Sequence, residues 1–174
     1  MDTDQKVKIR TAHVNDSEQI LEMQKQVVAE GEFLTTVIEE LSHRTIEQQQ
    51  AWVRKVLENE RETFIVAEIK GVIVGWIVFQ SEGRKRLAHK GSIGMMVSQE
   101  FRGIGIGKQL LKALIEWAEE HPLIEKVCLG VFSNNARALS LYKSMGFKEE
   151  GRKIKEFKLG DEEYIDDILM YRFV

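Results

Sequence analysis

Between Val97 and Lys108 the chain reads Val-Ser-Gln-Glu-Phe-Arg-Gly-Ile-Gly-Ile-Gly-Lys. A strand-like, mostly apolar run, Ile93 to Val97, gives way here to three alternate glycines and then to a helix with Ile106, Leu110, Leu114, Trp117 and Ala118 on one face. Strand, glycine turn and helix N-terminus in this order call for a sheet layered against helices. They also make an anion site. Glycine at 103, 105 and 107 lets backbone approach a ligand without Cβ clashes, and the unpaired N–H groups and dipole of the first helical turn favour phosphate. Arg102 and Lys108 add positive charge. The competing reading is a glycine-rich helix entry with no ligand.

Two other phosphate loops fail on spacing. A dinucleotide-binding Gly-x-Gly-x-x-Gly would need glycine at position 108 or 110, which hold Lys108 and Leu110. A Walker A loop would need glycine at 102 and serine or threonine at 109, which hold Arg102 and Gln109.

The rest of the chain reads as a mixed sheet with helices on its faces. Lys6 to Thr11 alternates as a half-buried strand. Asn15 to Glu18 caps a helix to about Glu30, and Thr45 to Gln48 opens a second to about Glu58, with Trp52, Val56 and Val53 as its apolar stripe. Gly31 to Arg44 reads as a loop or broken helix. Strands at 62–69 and 72–80 flank a two-residue Lys70-Gly71 hairpin turn. Lys126 to Phe132 reads as a strand, Asn135 to Met145 as a helix, and Phe147 to Leu159 with Tyr164 to Phe173 as a closing strand pair. The 174 residues contain no repeat or linker, and one domain is expected.

Composition narrows the partners. Lys plus Arg number 25 against 28 Asp plus Glu, a net charge of −3, which lacks the cationic excess of a phosphate-backbone binder. Nucleic acid is therefore not expected as a partner. The longest apolar run, Val72 to Phe79, is broken by Gly75 and is too short to span a membrane. One cysteine, Cys128, rules out an internal disulfide framework and suits a reducing, cytoplasmic setting. No metal-ligand cluster is expected.

A second motif follows the next strand: Asn135-x-x-Ala138-x-x-Leu141-Tyr142-x-x-x-Gly146-Phe147. Together with Arg102-x-x-Gly105-x-Gly107 it resembles the paired acetyl-CoA motifs of the GNAT N-acetyltransferase superfamily. The resemblance reaches from the first strand to the closing hairpin. It implies a mixed α+β fold: a mostly antiparallel, splayed sheet of about seven strands flanked by about four helices. The strand ending near Val97 is expected to bulge and part from the strand ending near Phe132.

Carried over by position, the resemblance implies that the backbone of Met96 and Val97 holds the acetyl and pantetheine groups. Residues Arg102, Gly103, Ile104, Gly105, Ile106, Gly107 and Lys108 would hold the pyrophosphate, with Asn135 and Ala138 at the pantetheine arm. Tyr142 would donate a proton to the departing thiolate. Ala138, Leu141, Tyr142 and Met145 also share helical spacing, so Tyr142 equally suits core packing. The reaction implied is direct attack of an amine on acetyl-CoA in a ternary complex, with no metal. Cys128, mid-strand among apolar residues, reads as a small buried hydrophobe rather than a nucleophile.

Many members carry a glutamate base where this chain has Ser92, which leaves His89, Glu30, Glu32 or a water chain to take the amine's proton. His89 is the favoured candidate because imidazole titrates near neutrality. For the acceptor, Glu30, Phe33, Leu34 and Trp76 are the candidate contacts, and the acidic hairpin (Asp161, Glu162, Glu163, Asp166, Asp167) hints at a cation. A non-catalytic acyl-CoA sensor is the alternative function. A homodimer fits the family, with no interface identified.

Overall fold

The computed structural model describes residues 6–31 and 33–174. Seven strands, β1 (Lys8–Thr11), β2 (Thr63–Ile69), β3 (Val72–Ser81), β4 (Lys90–Val97), β5 (Lys126–Phe132), β6 (Lys148–Gly160) and β7 (Glu163–Phe173), form one sheet in the order β1-β2-β3-β4-β5-β7-β6. Every neighbouring pair is antiparallel except β4 and β5. The helices are α1 (Ser17–Ala29), α2 (Ile38–Ser42), α3 (Ile46–Glu58), α4 (Ile106–Glu120) and α5 (Ala136–Ser144).

Local chemistry explains most of these boundaries. Thr45 accepts from Gln48 N–H while the Gln48 side chain accepts from Thr45 N–H, a reciprocal cap that starts α3. Lys70 and Gly71, at φ 50° and 82°, close the β2–β3 hairpin as a primed turn that matches strand twist. Within the segment 31–44 the five-residue α2 forms around buried Leu41, because Glu40 accepts from Val37 N–H at its start. β4 begins at Lys90, three residues earlier than its apolar run, because Gly91 and Ser92 pair with both neighbours.

Two apolar layers hold the sheet. On one face, Ile106, Leu110, Leu111 and Leu114 of α4, with Tyr142 of α5, cover Ile77, Phe79, Val127, Leu129, Ile168 and Met170. On the other, Ile20, Met23 and Val27 of α1 and Val53 and Val56 of α3 cover Phe64, Val66, Trp76 and Val78. Each buried large side chain is worth about 1.5–3 kcal/mol, so each layer gives rigid support to the strands it covers. Trp52, expected in the α3 stripe, lies at its margin and packs edge-on against Phe64 and Trp76, while Gln49 takes the fully buried place.

The centre of the sheet is open. β4 and β5 pair only from Lys90 to Ser92 against Lys126 to Cys128, and beyond that point they part. The expected bulge is absent: the register of β4 with β3 runs unbroken from Gly91 to Val97. The gap arises because β5 turns away with β7, to which it is paired along its whole length.

Candidate active site

Hydrogen-bond alternation decides which backbone groups face this gap. Glu82 N–H donates to Lys90 O and Ser98 N–H to Val74 O, so β4 residues of even number spend their backbone on β3. Met95 and Val97 therefore turn their backbone toward the gap, and Met96 turns its own toward Trp76. The expectation for Val97 is compatible with this geometry. For the Met96 backbone, expected at the coenzyme, the residue that faces the gap is Met95, one place earlier. On the facing strand, Lys126 N–H reaches His89 O and Ser133 N–H reaches Asp166 O, so Gly130 and Phe132 turn their backbone to the gap.

One mouth of the gap carries the glycine turn. Gly103 and Gly105 lie at φ 83° and 89°, left-handed conformations that a Cβ would strain, and Gly105 stands at the N-cap of α4 with no side-chain cap. The helical ladder opens with Gln109 N–H donating to Gly105 O, so the N–H groups of Ile106, Gly107 and Lys108 have no helical acceptor. Ile104 is exposed at the tip and Lys108 is exposed on the first turn. A ring of free donors at a positive helix end is suited to a pyrophosphate.

Arg102 is used differently from expectation. Its Nε donates to Val97 O at 2.9 Å and its guanidinium pairs with Glu30 at 2.6 Å, so it braces the turn against β4 and α1. The cation lying over the turn is Arg137, whose guanidinium would be 3.5 Å from a Cβ at Gly103. Sequence reasoning missed this residue, although it stands two places after Asn135 in the second motif. Asn135 itself caps α5, its side chain accepting from Ala138 N–H at 3.1 Å.

Tyr142 lies on the α4–α5 face, 9% exposed and edge-on to Phe147 at 5.8 Å. Burial pushes its phenol up to about 12, so it stays protonated and can only donate at neutral pH. Packing and hydrogen-bond donation are thus compatible in one side chain.

The other candidate residues lie in different places. His89 lies at the closed end of the strand pair, where its carbonyl accepts from Glu125 and Lys126; it stands six positions before Met95, about 20 Å of strand. Its place is at the end of the pair away from the gap. Glu30 is engaged by Arg102, and Glu32 lies outside the described residues. Of the acceptor candidates, Leu34 packs against the Trp76 layer, Phe33 is exposed at φ 56°, and Trp76 is buried with only its ring edge near Gly94. Burial pushes the Cys128 thiol up, which opposes a nucleophilic role.

The comparisons agree with this architecture. The model of the acetyltransferase (GNAT) family matches residues 28–147. The L-amino acid N-acetyltransferase AaaT of Escherichia coli is 29% identical over 121 residues, 70% of this chain and 74% of that protein. An N-alpha-acetyltransferase of Sulfurisphaera tokodaii is 29% identical over 150 residues, 82% and 80% of the two chains. Among solved structures, a GNAT-family acetyltransferase from Streptococcus pneumoniae superposes with a TM-score of 0.92 at 24% identity, over 97% of this chain and 100% of that one. The yncA protein of Salmonella typhimurium, solved with its cofactor acetyl-CoA, superposes at 0.84 with 21% identity, over 96% and 93%. A parted β4–β5 pair, a glycine turn at a helix N-terminus and a family match over most of the chain define one class of protein: this chain belongs to the GNAT family and is an N-acetyltransferase.

Proposed function

We propose that the chain moves an acetyl group from acetyl-CoA to a primary amine, by direct attack within a ternary complex. The observation that carries this reading is the backbone of Met95, Val97, Gly130 and Phe132 turned toward a gap whose mouth is the glycine turn, with only Val97 O and Phe132 O taken among the described residues, by Arg102 Nε and Asn135 N–H. The residues present fit the coenzyme. Residues 103–108, with Arg137, would hold its pyrophosphate, and the backbone edges of β4 and β5 would pair with its amide-bearing arm.

The coenzyme supplies an activated acetyl group; the chain supplies position and polarity. Backbone N–H of Met95 and Val97 would stabilise negative charge on the acetyl oxygen. Tyr142 would donate a hydrogen bond to the departing sulfur. A phenol near 12 is a weaker acid than a thiol near 8.5, so this is hydrogen bonding to developing charge rather than completed proton transfer. With His89 distant and Glu30 engaged, the amine's proton leaves through water in the open gap.

Two relatives support one acceptor class. One acts on L-amino acids and another is an N-alpha-acetyltransferase, which supports an α-amino group on an amino acid or a peptide N-terminus. A thiol-release assay with acetyl-CoA against amino acids, polyamines and peptide N-termini tests this. Turnover with α-amino acceptors is expected; coenzyme binding without turnover of any amine would instead support an acyl-CoA sensor.

A further inference from the structure

Asp167 is the one buried carboxylate on the described sheet that no cation claims. It is 8% exposed. The other buried aspartate, Asp16, is paired with Arg10, whereas Asp167 has no ion-pair partner within 4.0 Å among the described residues. Its neighbour Asp166 has a structural task, accepting from Lys155 N–H at 2.7 Å and pairing with Arg152. The charged groups nearest Asp167 from β6 are Lys153 and Glu156, which pair with each other.

Alternation gives the direction of Asp167. Ile168 and Met170 enter the α4–α5 layer, so Asp167 points to the opposite face, the one on which Trp76 and Met96 lie. On that face it leans over Gly130, where a Cβ would meet Asp167 Oδ1 at 2.6 Å. Across the gap, continuing the β4–β5 register from Ser92 and Cys128 brings Gly94 opposite Gly130. A Cβ at Gly94 would meet nothing closer than Val78 at 3.7 Å and the Trp76 ring edge at 3.9 Å. The gap is thus bare of side chains on both edges at the same level, with a carboxylate over one edge. Stacked Phe132 and Phe157, 4.5 Å between centroids, stand beside it as an apolar wall.

The coenzyme's phosphate turn lies on the α4 side of the sheet and Asp167 on the α1 side, so an acceptor meeting the acetyl group through the gap would pass this carboxylate. We infer that Asp167 receives the amino group of the acceptor as a charge-assisted hydrogen bond between carboxylate and ammonium, and so sets the preference for a cationic primary amine. This rests on the acetyltransferase reading above. Burial pushes the Asp167 carboxyl up from its ordinary value, outweighing the opposing pull of Lys153, its cross-strand neighbour, and of a Val131 N–H hydrogen bond. The two glycines leave room for the amine's substituent, and the bound ammonium gives its proton to water in the gap before the neutral amine attacks.

The test uses the full chain and whichever panel amine the wild type turns over. Asp167→Asn keeps the shape and removes the charge. It is expected to raise KM for the amine about 10- to 100-fold and to weaken amine binding to the CoA-loaded chain, read by calorimetry, by a similar factor. The CoA dissociation constant should stay within about two-fold, which also reports an intact fold. Asp167→Glu should recover part of the amine affinity, and Gly130→Ala, which crowds the carboxylate, should weaken it. An Asp167→Asn protein with unchanged amine KM and amine binding overturns the inference and leaves the acetyltransferase reading standing. A wild type that releases no thiol with any amine overturns both.

Discussion

The guanidinium of Arg102 lies 2.6 Å from the carboxylate of Glu30, joining the start of the glycine turn to the end of α1 across 72 positions of sequence. Both residues had looked like ligand contacts, the arginine for phosphate and the glutamate for an amine. Paired, they brace the glycine turn against β4 and α1. Glu30→Gln should therefore alter KM for acetyl-CoA by about three-fold or more and leave the acceptor KM within about two-fold. Steady-state kinetics with each substrate varied in turn checks this; a change confined to the acceptor KM would return Glu30 to the acceptor pocket.

Tyr142→Phe removes one oxygen from a side chain whose ring is packed against Phe147. The expected result is a fall in kcat of about 10- to 100-fold, with coenzyme affinity and melting temperature nearly unchanged. A kcat equal to that of the wild type would restrict Tyr142 to packing.

Cys128 sits where β4 and β5 are still paired, opposite Ser92, and its thiol is raised by burial. Cys128→Ala should retain kcat within about two-fold. Loss of turnover with retained CoA binding would mean a covalent route.

Legibility followed the range of the forces involved. Strand β5 has the limits read for it, and the Lys70-Gly71 turn and the Thr45–Gln48 cap formed as read, because each depends on residues within a few positions. The parting of β4 and β5 had no local signal: nothing in either strand's composition says that one follows β3 and the other β7. The family resemblance alone suggested it, and with the wrong cause, a bulge. The exchange of Met96 for Met95 is a matter of strand parity, which only pairing reveals. Asp167 was hidden in an acidic hairpin, although the apolar Ile168 and Met170 beside it carried the alternation that turns it inward.

Acid should weaken the β1–α1 junction first. Burial pushes the Asp16 carboxyl up, but hydrogen bonds from the Arg10 guanidinium and His13 N–H outweigh it and hold the group below its ordinary value. A carboxyl depressed on folding stabilises the fold fully above its unfolded value, about 4, and loses that contribution as pH falls through the folded value. Asp16→Asn should lower stability by about 1–2 kcal/mol at pH 7 and by less near pH 3. Melting temperatures of both proteins at the two pH values check the sign; an equal gap at both would contradict it.

In the proposed function, the opening between β4 and β5, entered past the glycine turn, is an acetyl-CoA site. Its most direct measurement is calorimetric titration of CoA into the wild type and into Gly105→Ala. One-to-one binding by the wild type is expected, weakened about ten-fold or more where a Cβ opposes the left-handed turn at 105. Absence of binding heat with the wild type, or equal affinity in the two proteins, would contradict the account.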